Sequence, residues 1–107
     1  MNKYRAKGQR LDGKFFASKK ELRRYNELKL LQRAGEIKEL TCQPTFKFDK
    51  LKYDSGRTPS YRADYSYIDK FNKRVVEDVK SVATKTQLYK LKKALMKHFF
   101  DIDVREV

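Results

Sequence analysis

Two neighbouring stretches decide the fold: Tyr61-Arg62-Ala63-Asp64-Tyr65-Ser66-Tyr67-Ile68 and Lys73-Arg74-Val75-Val76-Glu77-Asp78-Val79-Lys80. The first alternates with period two. Tyr61, Ala63, Tyr65 and Tyr67 fall on one face and Arg62, Asp64, Ser66 and Ile68 on the other, as in a β-strand. The second is rich in valine, which suits a pleated, half-buried surface. Asp69 to Asn72 turns the chain between them, so the two read as an antiparallel hairpin. Alternation then sorts the acids of the second strand: Asp78 and Lys80 share a face with Val76, whereas Glu77 joins Val75 and Val79. In such a hairpin Asp64 can lie beside Asp78 on one face.

Upstream, Thr41-Cys42-Gln43-Pro44-Thr45-Phe46-Lys47-Phe48-Asp49 alternates imperfectly and reads as a third strand, with Pro44 marking an edge or a bulge. Asp54-Ser55-Gly56 is a turn or loop. Ser18 opens a helix, because Ser18 and Glu21 have capping-box spacing, and Gly35 stops it. Leu22, Tyr25, Leu28 and Leu31 give this helix one buried face. Leu11-Asp12-Gly13-Lys14-Phe15-Phe16 carries an Asp-Gly turn signal before two aromatics. Residues 1–10 are basic and aperiodic and read as a flexible arm, leaving 11–107 as a single domain. Downstream, Thr84 begins a second helix with Leu88, Leu91, Leu95 and Phe99 as its stripe, and Ile102 to Val107 is a last strand. The expected fold class is α+β, α/β-sandwich-like, in the order α-β-β-β-α-β. Its mixed central sheet starts as an antiparallel three-strand meander and is flanked by helices.

Composition narrows the function. The 107 residues suffice for one modest core. Lys and Arg total 27 against 14 Asp and Glu, a net charge of +13, which implies a polyanionic partner, with nucleic acid as the default. No segment nears the ~20 apolar residues of a spanning helix and no signal-peptide pattern opens the chain, so no membrane partner and a cytoplasmic location are expected. The single Cys42 and single His98 exclude an internal disulfide and a Cys/His zinc cluster.

Within this basic chain, Glu21, Asp64 and Asp78 form a candidate acidic cluster. Aspartate is uncommon inside strands, and three converging carboxylates repel one another unless a cation neutralises them. Oxygen-only ligands suit Mg²⁺ or Mn²⁺. Lys80 on the same face could orient a water or stabilise developing charge on a phosphate. Three of the four have a plainer explanation, a capping box for Glu21 and a surface i, i+2 ion pair for Asp78 and Lys80, whereas Asp64, mid-strand between Ala63 and Tyr65, is harder to explain so.

Taken in order, these segments resemble the PD-(D/E)xK nuclease superfamily, and in particular a group of small phage- and prophage-borne proteins. The resemblance spans roughly residues 11–107 and implies a restriction-endonuclease-like fold. It implies that Asp64 is the acid of the PD half-motif, that Asp78-Val79-Lys80 is the (D/E)xK half-motif, and that Glu21 is the helix glutamate. Glu77 would replace Asp78 if a bulge changed the strand phase. Gln87 matches a polar residue of the following helix, although Thr84 to Gln87 is another capping-box spacing. The implied metal ligands are Glu21, Asp64, Asp78 and the Val79 carbonyl, binding Mg²⁺ or Mn²⁺. The implied activity is endonucleolytic hydrolysis of DNA. Lys19, Lys20, Arg23, Arg24, Arg62, Lys85, Lys90, Lys92 and Lys93 would contact the DNA. So small a chain has little surface for reading bases, so a branch, flap, nick or end is the expected target. Junction resolvases of this superfamily act as homodimers, and the tyrosine face could serve such an association or could simply be the core. The competing reading is a non-catalytic basic nucleic-acid-binding protein; a third is a module for an acidic protein partner.

Overall fold

The computed structural model describes residues 8–81 and 84–107. Its chain order is β1 (Gln9–Leu11), β2 (Lys14–Phe16), α1 (Lys19–Arg33), β3 (Ile37–Cys42), β4 (Thr45–Lys47), β5 (Ser60–Arg62), β6 (Tyr65–Asp69), β7 (Arg74–Asp78), α2 (Gln87–Phe100) and β8 (Arg105–Glu106). The fold is α+β. The main sheet runs β3-β6-β7-β8, with antiparallel pairing up to β7 and a parallel β7–β8 edge. A mixed sheet that starts as an antiparallel meander is as expected, but its first strand is Ile37–Cys42, mostly upstream of the strand expected over 41–49, and β4 pairs with β5 as a separate two-stranded ribbon. The α2 crossover makes β8 parallel to β7.

The two helices cover opposite faces. Tyr25 and Leu28 of α1 pack with Phe16, Ile37, Tyr65 and Tyr67. Tyr89 and Met96 of α2 pack with Phe48, Tyr61, Ala63, Val76 and Val104. Ser18 caps α1 by accepting from the Glu21 N–H at 3.1 Å, and Gly35 follows the helix at φ +80°.

Three expectations need correction. The strands expected over 41–49 and 61–68 are each broken. Cys42 pairs with Tyr65 and Thr45 with Arg62, so two residues are skipped on each side and the register carries through. Pro44 has no N–H to give the ladder, and Gln43 takes φ +54°. The break sends Tyr61 and Ala63 to the α2 face but Tyr65 and Tyr67 to the α1 face. All four are buried, so they form core and offer no tyrosine surface to a second copy. Second, α2 begins at Gln87 with Thr86 as its cap, whose hydroxyl accepts from the Tyr89 N–H; Thr84 instead bonds back to Ser81. Tyr89 and Met96 turn inward, and Leu88 and Leu91 border an outer groove with Phe48, Leu51, Tyr53 and Pro59. The segment between β4 and β5 packs along α2 and shifts its buried stripe. Third, Gln9 and Arg10 are not arm but strand: β1 pairs with β2 around Asp12 (φ +54°) and Gly13 (φ +74°). Two successive positive φ values make the hairpin turn that an Asp-Gly pair favours. The rest of the expected arm, residues 1–7, lies outside the described residues. Among the described residues no helix is long and apolar enough to cross a membrane.

Candidate functional site

The strand break places Asp64. Asp64 lies just after the kink, where its N–H donates to the Glu77 carbonyl at 3.1 Å and its carbonyl accepts from the Gln43 N–H at 2.8 Å. Its side chain reaches across to β7: Oδ2 accepts from the Val79 N–H at 2.7 Å. In return, Asp78 Oδ1 accepts from the Asp64 N–H at 2.9 Å. The two aspartates are thus cross-linked through each other's strand backbones. The second Asp78 oxygen accepts from the Tyr61 hydroxyl. Beyond Asp78 the strand is held by the C-terminus, because Val107 donates to the Asp78 carbonyl and accepts from the Lys80 N–H. The chain from Asp78 to Lys80 is therefore tied to Val107 past the end of β7.

Glu21 enters from the first turn of α1, and the Tyr65 hydroxyl donates to its backbone carbonyl at 2.7 Å. Burial raises the Glu21 carboxyl above its usual range, and the charges of Asp64 and Asp78 raise it further while Lys80 lowers it. Burial also raises Asp64, against the Val79 N–H, Lys80 and Arg62. Asp78, 2% exposed, is pushed up to about 6 by burial, against Lys80 and the Asp64 N–H. The Lys80 charge thus acts on all three acids. Its ammonium lies 4.2 Å above the Tyr89 ring, a cation–π contact that fixes it from the α2 side. Lys80 therefore lies within electrostatic reach of Glu21, Asp64 and Asp78, and Asp64 and Asp78 within reach of Glu21.

Glu77 does not join them. It points to the α1 face, fully buried, where Arg24 grips it with two bonds of 2.8 and 2.6 Å and the Tyr67 hydroxyl donates to it. Strand phase therefore leaves Asp78 at the site. Arg24, expected among the DNA contacts, is instead committed to Glu77 and to Glu27. Lys85 and Lys93, also expected there, pair with Glu106. Lys20 donates to the Lys80 carbonyl at 2.9 Å, while Lys19, Arg23 and Lys90 are exposed and Lys92 is half-buried beside the outer groove. Gln87 stands exposed at the first position of α2; Tyr89, two residues on, is the α2 side chain that reaches the acids' surroundings.

Glu21 and Asp64 open into a cleft of about 460 Å³ that Lys14, Phe15, Phe16, Gln43 and Arg62 also line. The β1–β2 hairpin forms one wall of this cleft. It is tied to α1 through Asp12, which accepts from the Tyr25 hydroxyl at 2.9 Å and from Lys29 at 2.6 Å. Sequence reasoning missed Tyr61, Tyr89 and this hairpin wall. The Asp-Gly turn was the one signal for the wall, and nothing local announces where its strands fold to.

Among the described residues no three His, Cys, Asp or Glu side chains close into a metal cage. The donor set nevertheless fits a hard cation. It is all oxygen, burial raises all three acids and the charges of Asp64 and Asp78 raise Glu21 further, which a cation would relieve, and no oxygen of Asp64 or Asp78 accepts more than one protein bond, which leaves lone pairs. Mg²⁺ is usually held by one or two carboxylates with water and substrate phosphate, not by an all-protein cage.

Comparison with known families then places the chain. Residues 1–107 match the family described as "Protein of unknown function (DUF1064)". The chain belongs to that family. No curated protein and no solved structure matches it.

Proposed function

We propose that this DUF1064 protein is a metal-dependent endonuclease that hydrolyses DNA phosphodiester bonds, with branched DNA such as a four-way junction as the leading substrate and phage DNA processing as its setting. The observation that carries the reading is that Glu21 and Asp64 line one cleft, with Asp78 buried behind them and Lys80 near enough to act on all three acids, in a chain of net charge +13. Structural acids in such a chain would be neutralised by its many cations, as Glu77 is by Arg24. These three instead sit raised, a state typical of functional sites.

Glu21, Asp64 and Asp78, with the Val79 carbonyl, are the groups that would hold Mg²⁺ or Mn²⁺. When bound, such a cation neutralises charge on the phosphate and acidifies a water. The Asp64–Val79 and Asp78–Asp64 bonds keep the two carboxylates oriented. Lys80, fixed over Tyr89, supplies positive charge beside the attacked phosphate and orients the attacking water. Arg62 and Lys14 hold the backbone at the cleft, and Lys19, Lys20 and Arg23 extend the phosphate track along α1.

The test is incubation with labelled four-way junction, flap, duplex and single-stranded DNA in Mg²⁺, Mn²⁺ or EDTA. Cleavage dependent on metal and lost in Asp78→Asn and Lys80→Ala, with binding retained, is the expected result. Salt-sensitive binding with no cleavage under any metal would make the protein a passive nucleic-acid binder.

A further inference from the structure

The β1–β2 hairpin puts an aromatic ring at the mouth of the acidic cleft. Phe15 is 51% exposed, yet it lines the same cleft as Glu21 and Asp64. A singly exposed apolar side chain is ordinary; Phe15 is set apart by its place at the cleft and by its neighbours. Its neighbours are basic: Arg10, its cross-strand partner, has its guanidinium 5.9 Å from the ring centroid, and Lys14 and Arg62 line the cleft beside it. The ring's far edge rests on Gly8, where a Cβ would come within 2.1 Å of it. So Gly8 gives the ring room to lie against the hairpin. Asp12, bonded to Tyr25 and Lys29, anchors the hairpin and hence the ring to α1.

An aromatic face bordered by cations is what an unstacked base and its phosphates require. A base within a continuous duplex cannot present its face to such a ring, because the stack must first open. Resting on the nuclease reading for its link to chemistry, we propose that Phe15 is a stacking platform for one unpaired base, and that the hairpin places the adjoining phosphate at Glu21 and Asp64. The substrate class is then DNA with a single-stranded segment or a disrupted base pair at the cut, and intact duplex is excluded. Arg10, Lys14 and Arg62 hold the phosphates on either side of that base.

The experiment measures equilibrium binding in EDTA to two DNAs: an oligonucleotide with one 2-aminopurine in a single-stranded flap, and an uninterrupted duplex of equal length. The wild-type protein should quench 2-aminopurine fluorescence on binding the flap. Phe15→Ala should abolish the quench and weaken flap binding about tenfold, a stacking contribution of about 1.4 kcal/mol, with duplex binding changed less than twofold. Phe15→Tyr should restore both. Gly8→Ala, whose added methyl displaces an exposed ring and not backbone, should reduce the quench while leaving the far-ultraviolet circular dichroism unchanged. Equal quenching by wild type and Phe15→Ala, or equal losses on flap and duplex, would overturn the platform. Cleavage with Mg²⁺ is scored separately. Quenching without cleavage by any DNA-bound wild type sinks the nuclease reading and leaves the platform standing; cleavage of the flap without Phe15-dependent quenching does the reverse.

Discussion

Glu77 and Asp78 are adjacent in one strand, equally buried, and opposite in every other respect. Glu77 faces α1, where the Arg24 guanidinium and the Tyr67 hydroxyl saturate it. Asp78 faces α2, where its carboxylate meets only neutral donors, the Tyr61 hydroxyl and the Asp64 N–H, with Lys80 acting from further off. One residue of strand alternation separates a closed structural ion pair from an acid left with unmet charge. Burial alone therefore does not single out a candidate acid; under the proposed function, what singles out Asp78 is burial without a cation bonded to it.

The sharpest way to break this contrast is through activity. Asp78→Asn removes the charge and keeps the shape, and should lower metal-dependent cleavage at least about 1,000-fold in a single-turnover assay. Glu77→Gln should leave the rate of the folded fraction within about tenfold of wild type. Equal losses from the two would show that the strand's two faces do not divide the labour.

Stability should rank the residues in the other order. Arg24→Ala strands a fully buried Glu77 carboxylate and should cost about 3–5 kcal/mol in urea unfolding. Replacing both partners, Arg24→Met with Glu77→Leu, should recover most of that loss, since an apolar pair leaves no charge to solvate. A small effect of Arg24→Ala would mean that Tyr67 alone can hold the carboxylate.

Much of this contrast was legible before any fold was known. Valines at 75, 76 and 79 set the strand phase, and phase alone separates Glu77 from Asp78. Ser18, Glu21 and Gly35 delimited α1 because caps act within one turn. The partner of Glu77 was not legible: Arg24 lies 53 residues away in sequence, and nothing local distinguishes it from Arg23, which remains outside. The kink at Ala63 and Asp64 was hidden for the same reason. Pro44 on the neighbouring strand interrupts the ladder, so the cause of a break in one strand sits in another. The expected stripe of α2 is right at Leu95 and Phe99, which pack against the core, and wrong at Leu88 and Leu91, because Phe48 and Leu51, from a loop without periodicity, decide which side of the helix is covered.

The unmet charge of Asp78 also predicts a stability gain. Its folded pKa, about 6, lies above the unfolded value near 4. Between these values the folded chain binds more protons than the unfolded one, so stability falls as pH rises through that window. In metal-free protein, Asp78→Asn should therefore raise stability by about 1–2 kcal/mol at pH 7, after the weaker bonds from Tyr61 and Asp64 are counted. The gain should vanish by about pH 4. Chemical unfolding of both proteins at pH 4, 5.5 and 7 in EDTA checks the sign, and a gain that persists at pH 4 would assign it to something other than ionisation.

The smallest effect belongs to Glu106, which pairs across the β7–β8 ladder with Asp78 and titrates the opposite way. Lys85, the Tyr89 hydroxyl and Lys93 hold it down to about 2. Its contribution is thus complete above about pH 4.5 and is lost as the pH falls toward 2. The carboxylate and its lysines are partly exposed, so screening limits Glu106→Gln to a loss of about 0.5–1 kcal/mol at pH 7. The two residues also interact, because the Glu106 charge helps raise Asp78. Removing it lowers the Asp78 pKa and shrinks the strain that Asp78→Asn relieves. The double variant should therefore be less stable than the sum of the singles predicts, by a few tenths of a kcal/mol. Strict additivity would mean that Lys85 and Lys93 already neutralise Glu106 as seen from Asp78, and that the raised state of Asp78 comes from burial alone.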